Sequence, residues 1–410
     1  MKAPLPPAGM SPALIVLMLS LLLGLQPITT DLYLPALPGL TTELGAPLAQ
    51  AQLTLTALLL AFGVSQLIWG PLSDRFGRRP VLLAGMAAYV AASVGSAFSH
   101  SMEALILWRA LQGAAMGAGV MCARAIVRDL YSPAQGAGVM SKGLSGLGVI
   151  ACISAPLGGL LTAWFNWHVA LLALALFGAL GLGLIALRFI ETVPRKNREA
   201  LQPAALLRTW LGIVRHPTFV AYSALTVVSY SGLFTFLASS SFVFISVLGF
   251  STLQYGLLMF SNAFIYILGT FLCRRWLGRY GLRRSVAIAG ALTLTGGCTM
   301  GLLALAGVDS AWAIMLPFGL FMLAHGIHNP CGQSGAVAPF PQAAGAASAL
   351  NGFLTMLSAF ATGQWLGTHM DGSVQPLVNA IWFWSVLTAL AAWTLVQQHG
   401  EPPHGGAATT

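Results

Sequence analysis

Apolar stretches of about 20 residues recur along the whole chain, parted by short polar segments, and this spacing constrains the fold more than any motif does. A helix rises about 1.5 Å per residue, so about 20 apolar residues cross the hydrocarbon core of a bilayer. Spans are predicted at 12–34, 48–70, 80–98, 103–123, 137–163, 168–189, 218–241, 253–273, 285–307, 311–333, 345–367 and 376–396. Only 7% of the 410 residues are charged, against roughly 25% in a soluble domain. So little charge cannot cover a water-exposed globule, so lipid must be the main solvent. The expected class is an all-α membrane protein of about twelve spans.

Charge sets the expected topology. The net charge is +9, and the basic residues fall in islands: Lys2; Arg75, Arg78 and Arg79; Arg124, Arg128 and Lys142; Arg188 to Arg215; Arg274 to Arg284. Only Arg109 stands apart. With the N-terminus inside, the loops after spans 2, 4, 6 and 8 are cytoplasmic and hold nearly all the positive charge, as the positive-inside rule requires. The opposite loops carry Glu43, Glu103, Asp309 and Asp371 and no Lys or Arg. An even number of spans returns the C-terminus to the cytoplasm. The islands therefore read as topology signals, and no nucleic-acid partner is expected. The apolar run Ala13 to Leu25 is read as a retained first span rather than a cleaved signal peptide, because its cationic flank is thin.

The chain reads as two halves. A six-helix bundle over 1–190 is followed by a basic, Pro-containing linker over 191–217, a second six-helix bundle over 218–398 and a disordered tail over 399–410. In the linker, Leu206 to Val214 mixes apolar and basic residues around Trp210, which suits a short helix in the membrane interface. Arg75-Phe76-Gly77-Arg78-Arg79 follows span 2, and Arg279-Tyr280-Gly281-Leu282-Arg283-Arg284 follows span 8, 204 residues later. Duplication of a six-helix unit is a transporter signature.

Enzyme chemistry finds no support. There is no His-Glu-x-x-His, no Gly-x-Ser-x-Gly, no phosphate loop and no pair of membrane acids. The five cysteines form no Cys-x-x-Cys and lie in or beside apolar segments, so they read as apolar filler, with no metal and no cofactor. A sensor would carry a soluble output domain, and none is visible in the sequence.

The segment Gly70-Pro71-Leu72-Ser73-Asp74-Arg75-Phe76-Gly77-Arg78-Arg79-Pro80, placed in the loop between spans 2 and 3, closely resembles the signature loop of the major facilitator superfamily. Gly70 suits a close approach of helices, Asp74 is an anion for a helix N-terminus or a neighbouring Arg, and Arg75, Arg78 and Arg79 hold the loop inside. The resemblance implies that Gly70, Asp74, Arg75, Gly77, Arg78 and Arg79 form a cytoplasmic latch. Arg109-Ala110-Leu111-Gln112-Gly113 resembles the family's second motif. Ala155-Pro156-Leu157-Gly158-Gly159 resembles its antiporter motif, with Pro156, Gly158 and Gly159 in register and Ala155 where Gly commonly stands. Thr30-Asp31-Leu32-Tyr33-Leu34-Pro35-Ala36-Leu37-Pro38, and Ala338-Pro339 with Gly345 to Leu350, are similar to the Bcr/CflA drug-resistance subgroup. Trp167-His168 departs from the Trp-Arg of many relatives. The resemblance implies twelve helices in two pseudo-symmetric bundles, with spans 1, 4, 7 and 10 around a central cavity.

Ionisable groups inside a membrane are costly and are functional candidates by default. Asp31 lies about 18 residues into span 1, roughly 27 Å of helix, and Arg109 roughly 10 Å below the outer end of span 4. Both fall in the outer half and are expected to face one aqueous space. A partly dry cavity disfavours a charged carboxylate and a nearby guanidinium favours it. In balance they let Asp31 exchange a proton, so Asp31 and Arg109 are the expected proton-coupling pair. The competing readings make Asp31 a wetted helix end and Arg109 a structural guanidinium satisfied by carbonyls and Gln112. His325 and His328 offer a proton exit or a structural pair. Tyr33, Tyr222, Tyr230, Phe234, Asn262, Tyr266 and Asn351 are the expected cavity lining, which suits amphipathic molecules.

These readings converge on a proton-coupled antiporter that exports drug-like compounds. Its partners are a small-molecule substrate, protons and the bilayer, and a monomer suffices. Proton-coupled uptake of a small metabolite is the alternative within the class; a membrane sensor or intramembrane enzyme is the alternative outside it.

Overall fold

A computed structural model describes residues 10–131, 133–193 and 201–400, and these are helical almost throughout. The helices are α1 Pro12–Asp31, α2 Leu37–Glu43, α3 Leu48–Phe76, α4 Arg78–Ala97, α5 Met102–Leu130, α6 Pro133–Trp164, α7 Trp167–Arg188, α8 Pro203–Val214, α9 Pro217–Ser241, α10 Thr252–Leu305, α11 Ala311–Val337, α12 Ala344–His369, α13 Gln375–Trp393 and α14 Leu395–His399. Among the described residues, eleven helical segments are long and apolar enough to cross a membrane. One of them, α10, is 54 residues long and contains Gly281 at φ 74, ψ 176, a non-helical break. A straight helix of that length would be about 80 Å long, so α10 is two crossings that meet at Gly281. Counted so, the described residues hold twelve crossings.

The duplication is visible in the backbone. Gly77, the single residue between α3 and α4, has φ 109, ψ 160. Gly281 lies 204 residues later with the same signs and an equally extended ψ. That region is essentially closed to any residue with a Cβ, so each half reverses its second span on a glycine.

Several helices outrun the predicted spans on the basic face. Helix α3 continues through Pro71 and Asp74 to Phe76, and α5 reaches Leu130. The signature segment is therefore helical up to Gly77, not a loop. Hydropathy falls where the hydrocarbon ends, whereas a helix ends where its backbone geometry breaks, here at Gly77. At the other face α1 stops at Asp31, and Pro35 and Pro38 open a 3-10 turn, Leu34–Ala36, and then α2. Ser11, Ser101, Asn166, Ser251 and Ser310 each cap a following helix through a side-chain oxygen.

The two halves meet along two seams, α3 against α12 and α6 against the first half of α10. Gly159 of α6 lies against the Thr252 backbone, and Gly256 of α10 lies against the backbone of Ala155 and Pro156. The sequence that resembles the antiporter motif is thus the contact surface between the halves. Gly158 packs on the Leu32 carbonyl within the first half. Helix α6 runs unbroken through Pro156. In the linker, α8 exposes Leu207, Leu211 and Val214 and buries only Ile213, as an interfacial helix would. The predicted tail beyond Gly400 lies outside the described residues.

Candidate functional site

A cavity of about 660 Å³ lies between the halves, lined by α1, α3, α5, α6, α9, α10, α11 and α12. The lining includes α1, α5, α9 and α11, which are spans 1, 4, 7 and 10. Helices α4, α7, α13 and the second half of α10 stay behind it. The lining reaches Gln333, Ser334 and Val337 at the basic-face end of α11 and Ser348 near the start of α12. Toward the other face it stops at Asp31, Phe236 and Phe318. Beyond these, Tyr33, Leu34, Ala36, Leu37, Phe244 and Tyr255 are fully buried in one cluster shared by both halves. Gln52 Nε2 donates to the Ala238 carbonyl at 2.6 Å, and Thr252 Oγ1 donates to the Gly159 carbonyl at 3.3 Å; both bonds tie the halves together on this side. The cavity is sealed toward the acidic loops and extends toward the basic ones.

Among the described residues the wall carries one acid, Asp31, and one Lys or Arg, Arg124. Asp31 closes α1 and accepts from Thr30 Oγ1 at 2.8 Å. Arg124 lies near the basic-face end of α5, and its Nη1 donates to Ser348 Oγ of α12 at 2.6 Å, a bond between the halves. The two ionisable ends of the cavity therefore differ, with a carboxyl group at the sealed end and a guanidinium at the mouth.

Arg109 does not line the cavity. It is 0% exposed, its Nη1 donates to Gln112 Oε1 at 2.6 Å and its Nη2 to the Thr29 carbonyl at 3.0 Å. Its guanidinium lies 4.3 Å from the centre of the Tyr33 ring. It sits inside the first bundle and, among the described residues, forms no ion pair with an acid. The shared aqueous space expected of Asp31 and Arg109 is absent here. Yet Arg109 grips the carbonyl two residues before Asp31, and so fixes the turn that presents the acid.

Of the seven expected lining residues, Tyr230, Asn262, Tyr266 and Asn351 are on the wall, and Tyr33, Tyr222 and Phe234 are not. Tyr33 lies past the end of α1, with its hydroxyl 2.9 Å from Thr54 Oγ1 and its ring on Arg109. Tyr222 sits at the basic-face end of α9 and donates to the Gly400 carbonyl at 2.8 Å. Phe234 lies one turn and a fraction beyond Tyr230, about 40° further round the helix, on the edge of the cavity stripe where it packs beside Gly363.

The wall also holds Gln26, which the sequence did not single out. Gln26 Nε2 donates to the Tyr230 hydroxyl at 3.2 Å across the interface of the halves. Their 204-residue separation, equal to the repeat offset, is a signal that could have found the pair. His325 lines the cavity with Nδ1 2.8 Å from Ser229 Oγ, whereas His328 is buried off it and Lys142 is exposed.

On the basic face, Arg78 is 3% exposed and joins Asp74 at 2.7 Å and Asp129 at 2.9 Å. Arg128 reaches Asp74 at 3.5 Å. The N-terminus of α4 is capped by Glu191, whose carboxylate accepts from the backbone of Arg78 at 2.9 Å and Arg79 at 3.1 Å. The anion on that helix end is thus Glu191 rather than Asp74, and every ion pair formed by Asp74 and Arg78 stays within the first half. Gly70 is not at a close helix approach: a Cβ there would make only ordinary contact, 3.6 Å, with Met121.

Residues 19–363 match the model of the Major Facilitator Superfamily. The chain is 30% identical over 400 residues to Multidrug resistance protein D of Escherichia coli strain K12, covering 95% of this chain and 98% of that protein. It is 26% identical over 385 residues to the bicyclomycin resistance protein homolog of Haemophilus influenzae, covering 94% and 96%. The solved structure of the xylose transporter XylE from E. coli, partially occluded and inward-open, superposes with a TM-score of 0.75 at 15% identity over 96% of this chain and 100% of that one.

Proposed function

The chain belongs to the Major Facilitator Superfamily, and from that premise we propose that it is a proton-coupled antiporter exporting drug-like, small amphipathic compounds across a bacterial inner membrane. The names of its relatives, a multidrug resistance protein and a bicyclomycin resistance protein homolog, support export of such compounds. The basic face lies in the cytoplasm with both termini, in keeping with the positive-inside rule. The bundles 1–190 and 218–398, joined by 191–217, rock about the cavity, and a monomer suffices.

One observation carries the coupling: Asp31 is the one acid on the cavity wall among the described residues. Ionised, it favours cargo at the sealed end. When the outer seal opens, Asp31 takes up a proton and releases that cargo; when the basic face opens again, it gives the proton to the cytoplasm. Exchange follows because proton and cargo compete for one carboxylate. Arg109 is the positioning residue, through its bond to the Thr29 carbonyl. The latch of Gly70, Asp74, Arg75, Gly77, Arg78 and Arg79 keeps the helix ends of the first half as one unit and meets α12 when the cytoplasmic side closes. Pro156 and Gly159 form the surface on which the outer side closes, and Gly158 holds α6 against the Leu32 carbonyl of the first half behind it.

The test is Asp31→Asn in vesicles with an imposed pH gradient. Gradient-driven transport is expected to vanish and cargo affinity to fall and lose its pH dependence, since Asn stands in for the protonated acid; transport equal to wild type removes Asp31 from the mechanism. Direction is read from drug accumulation in cells, which a protonophore should raise if the protein exports.

A further inference from the structure

Most polar groups on the cavity wall are spoken for. The Tyr230 hydroxyl accepts from Gln26, the Tyr266 hydroxyl accepts from Asn329 Nδ2 at 3.2 Å, Asn329 Oδ1 accepts from Gln333, and His325 pairs with Ser229. Asn262 differs. It is 3% exposed, it lines the cavity from the first half of α10, and neither Oδ1 nor Nδ2 has a hydrogen-bond partner. Asn351 Oδ1 on α12 is the one other wall atom that is both buried and unpartnered among the described residues.

A buried amide without a partner destabilises the fold that holds it, and such groups call for a physical explanation. Asn262 sits among apolar wall residues, with Met259 and Ala263 beside it on the helix. An apolar pocket with a few placed polar groups orients its ligand through those groups. An asparagine offers an acceptor and a donor on adjacent positions. The complementary group is neutral and carries a donor and an acceptor side by side: a primary amide, a lactam, an imide or a urea. A full charge would be left unpaired at this wall, since Asp31 and Arg124 lie toward the two ends of the cavity, and an unpaired charge in a dry site is costly.

We infer that Asn262 is a specificity-determining residue which selects, among amphipathic compounds that fit the cavity, those bearing a neutral amide-type group. This rests on the cavity being the cargo site proposed above. It divides the labour between the halves: the second reads the cargo's polar group, and the first carries the exchangeable proton.

The experiment is equilibrium binding to the purified full-length protein, followed by tryptophan fluorescence. The probes are biphenyl-4-carboxamide and 4-acetylbiphenyl, which share their rings and carbonyl and differ by an amide NH2 in place of a methyl. Wild type should bind the amide roughly tenfold more tightly, the worth of one neutral hydrogen bond in a dry site. Asn262→Leu, nearly isosteric, should lower amide affinity more than ketone affinity, so that the roughly tenfold preference disappears, while the remaining ketone binding reports that the variant is folded. The inference is overturned if wild type shows no preference or does not bind the amide, if the preference survives in Asn262→Leu, or if Asn351→Leu alone abolishes it. Should Asn262→Leu lose both probes, Asn262→Ala is measured in the same way, and loss of both again overturns the assignment. Binding needs no pH gradient, so the two readings fail separately. Amide-selective binding without gradient-driven transport sinks the antiport reading alone; gradient-driven transport with no amide preference sinks this one alone.

Discussion

Adding one methyl group at Gly159 should drive the protein toward its outward-open state. A Cβ built there lies 2.5 Å from the Thr252 carbonyl oxygen, 3.2 Å from its carbon and 3.3 Å from Leu253 Cα, all backbone atoms of the other half. Backbone at a helix start cannot swing aside as a side-chain tip can. The clash must be relieved by parting α6 from α10 by the better part of an ångström, and parting them at this level opens the outer seal. Overpacking of this kind costs about 1–3 kcal/mol. It falls on the inward-facing state alone, so the ratio of outward- to inward-facing molecules should rise roughly 5- to 150-fold. The readout is labelling of Ala36→Cys, a position now 0% exposed behind the seal, by a membrane-impermeant maleimide in a background stripped of the native cysteines. Gly183→Ala is the control, because a Cβ there meets nothing within 4 Å. Gly159→Ala should label at least severalfold faster than Gly183→Ala. Equal rates in well-folded protein would refute the claim that α6 closes on α10 at this glycine.

Other outcomes follow from the same geometry. Arg78→Ala leaves Asp129, which is 9% exposed, with only Thr192 at 3.3 Å and Arg128 at 4.0 Å, and should cost about 3 kcal/mol in thermal or denaturant unfolding; Asp74→Asn, at a 40% exposed acid, should cost under about 1 kcal/mol. Gly77→Ala combines a forbidden φ with the Glu191 carboxylate in the place its methyl would take, whereas Gly281→Ala meets only the φ penalty. Melting should therefore fall further for Gly77→Ala than for Gly281→Ala, the latter losing about 1–3 kcal/mol. Arg109→Lys keeps the charge but cannot hold Gln112 and the Thr29 carbonyl together; gradient-driven transport should drop while substrate binding stays near wild type, and normal coupling would show that charge alone suffices.

The spans were legible because bilayer thickness dictates long apolar runs, and the family because its motif residues sit at fixed turns such as Gly77. The lining was less legible for a physical reason. Helices packed between lipid and other helices are apolar on every side, so polarity does not mark the face that meets the cavity. Tyr230 and Phe234 look alike in the sequence, and one turn plus a fraction decides between them. Arg124 was read as part of a topology island because it lies close to Arg128 in the chain. The structure shows it lining the cavity, since α5 continues well past the hydrophobic stretch that suggested its end. Arg109 stood out in the sequence as a cation within a span, and its bonds to the Thr29 carbonyl and Gln112 are those of the competing reading, a guanidinium satisfied by carbonyls and Gln112.

The contact between Gln26 and Tyr230 says something about the ancestry of such a molecule. The two positions are counterparts in the repeat, and they touch each other. Counterparts touch only on a rotation axis, where in a symmetric pair of separate half-proteins each residue would face its own copy. A self-facing residue has to be its own complement. Once both halves are written in one gene, the two positions can drift apart, and here one has become an amide that gives a hydrogen bond and the other a phenol that takes it. Joining the halves in one chain thereby lets a point that two separate copies would have to keep alike become lopsided.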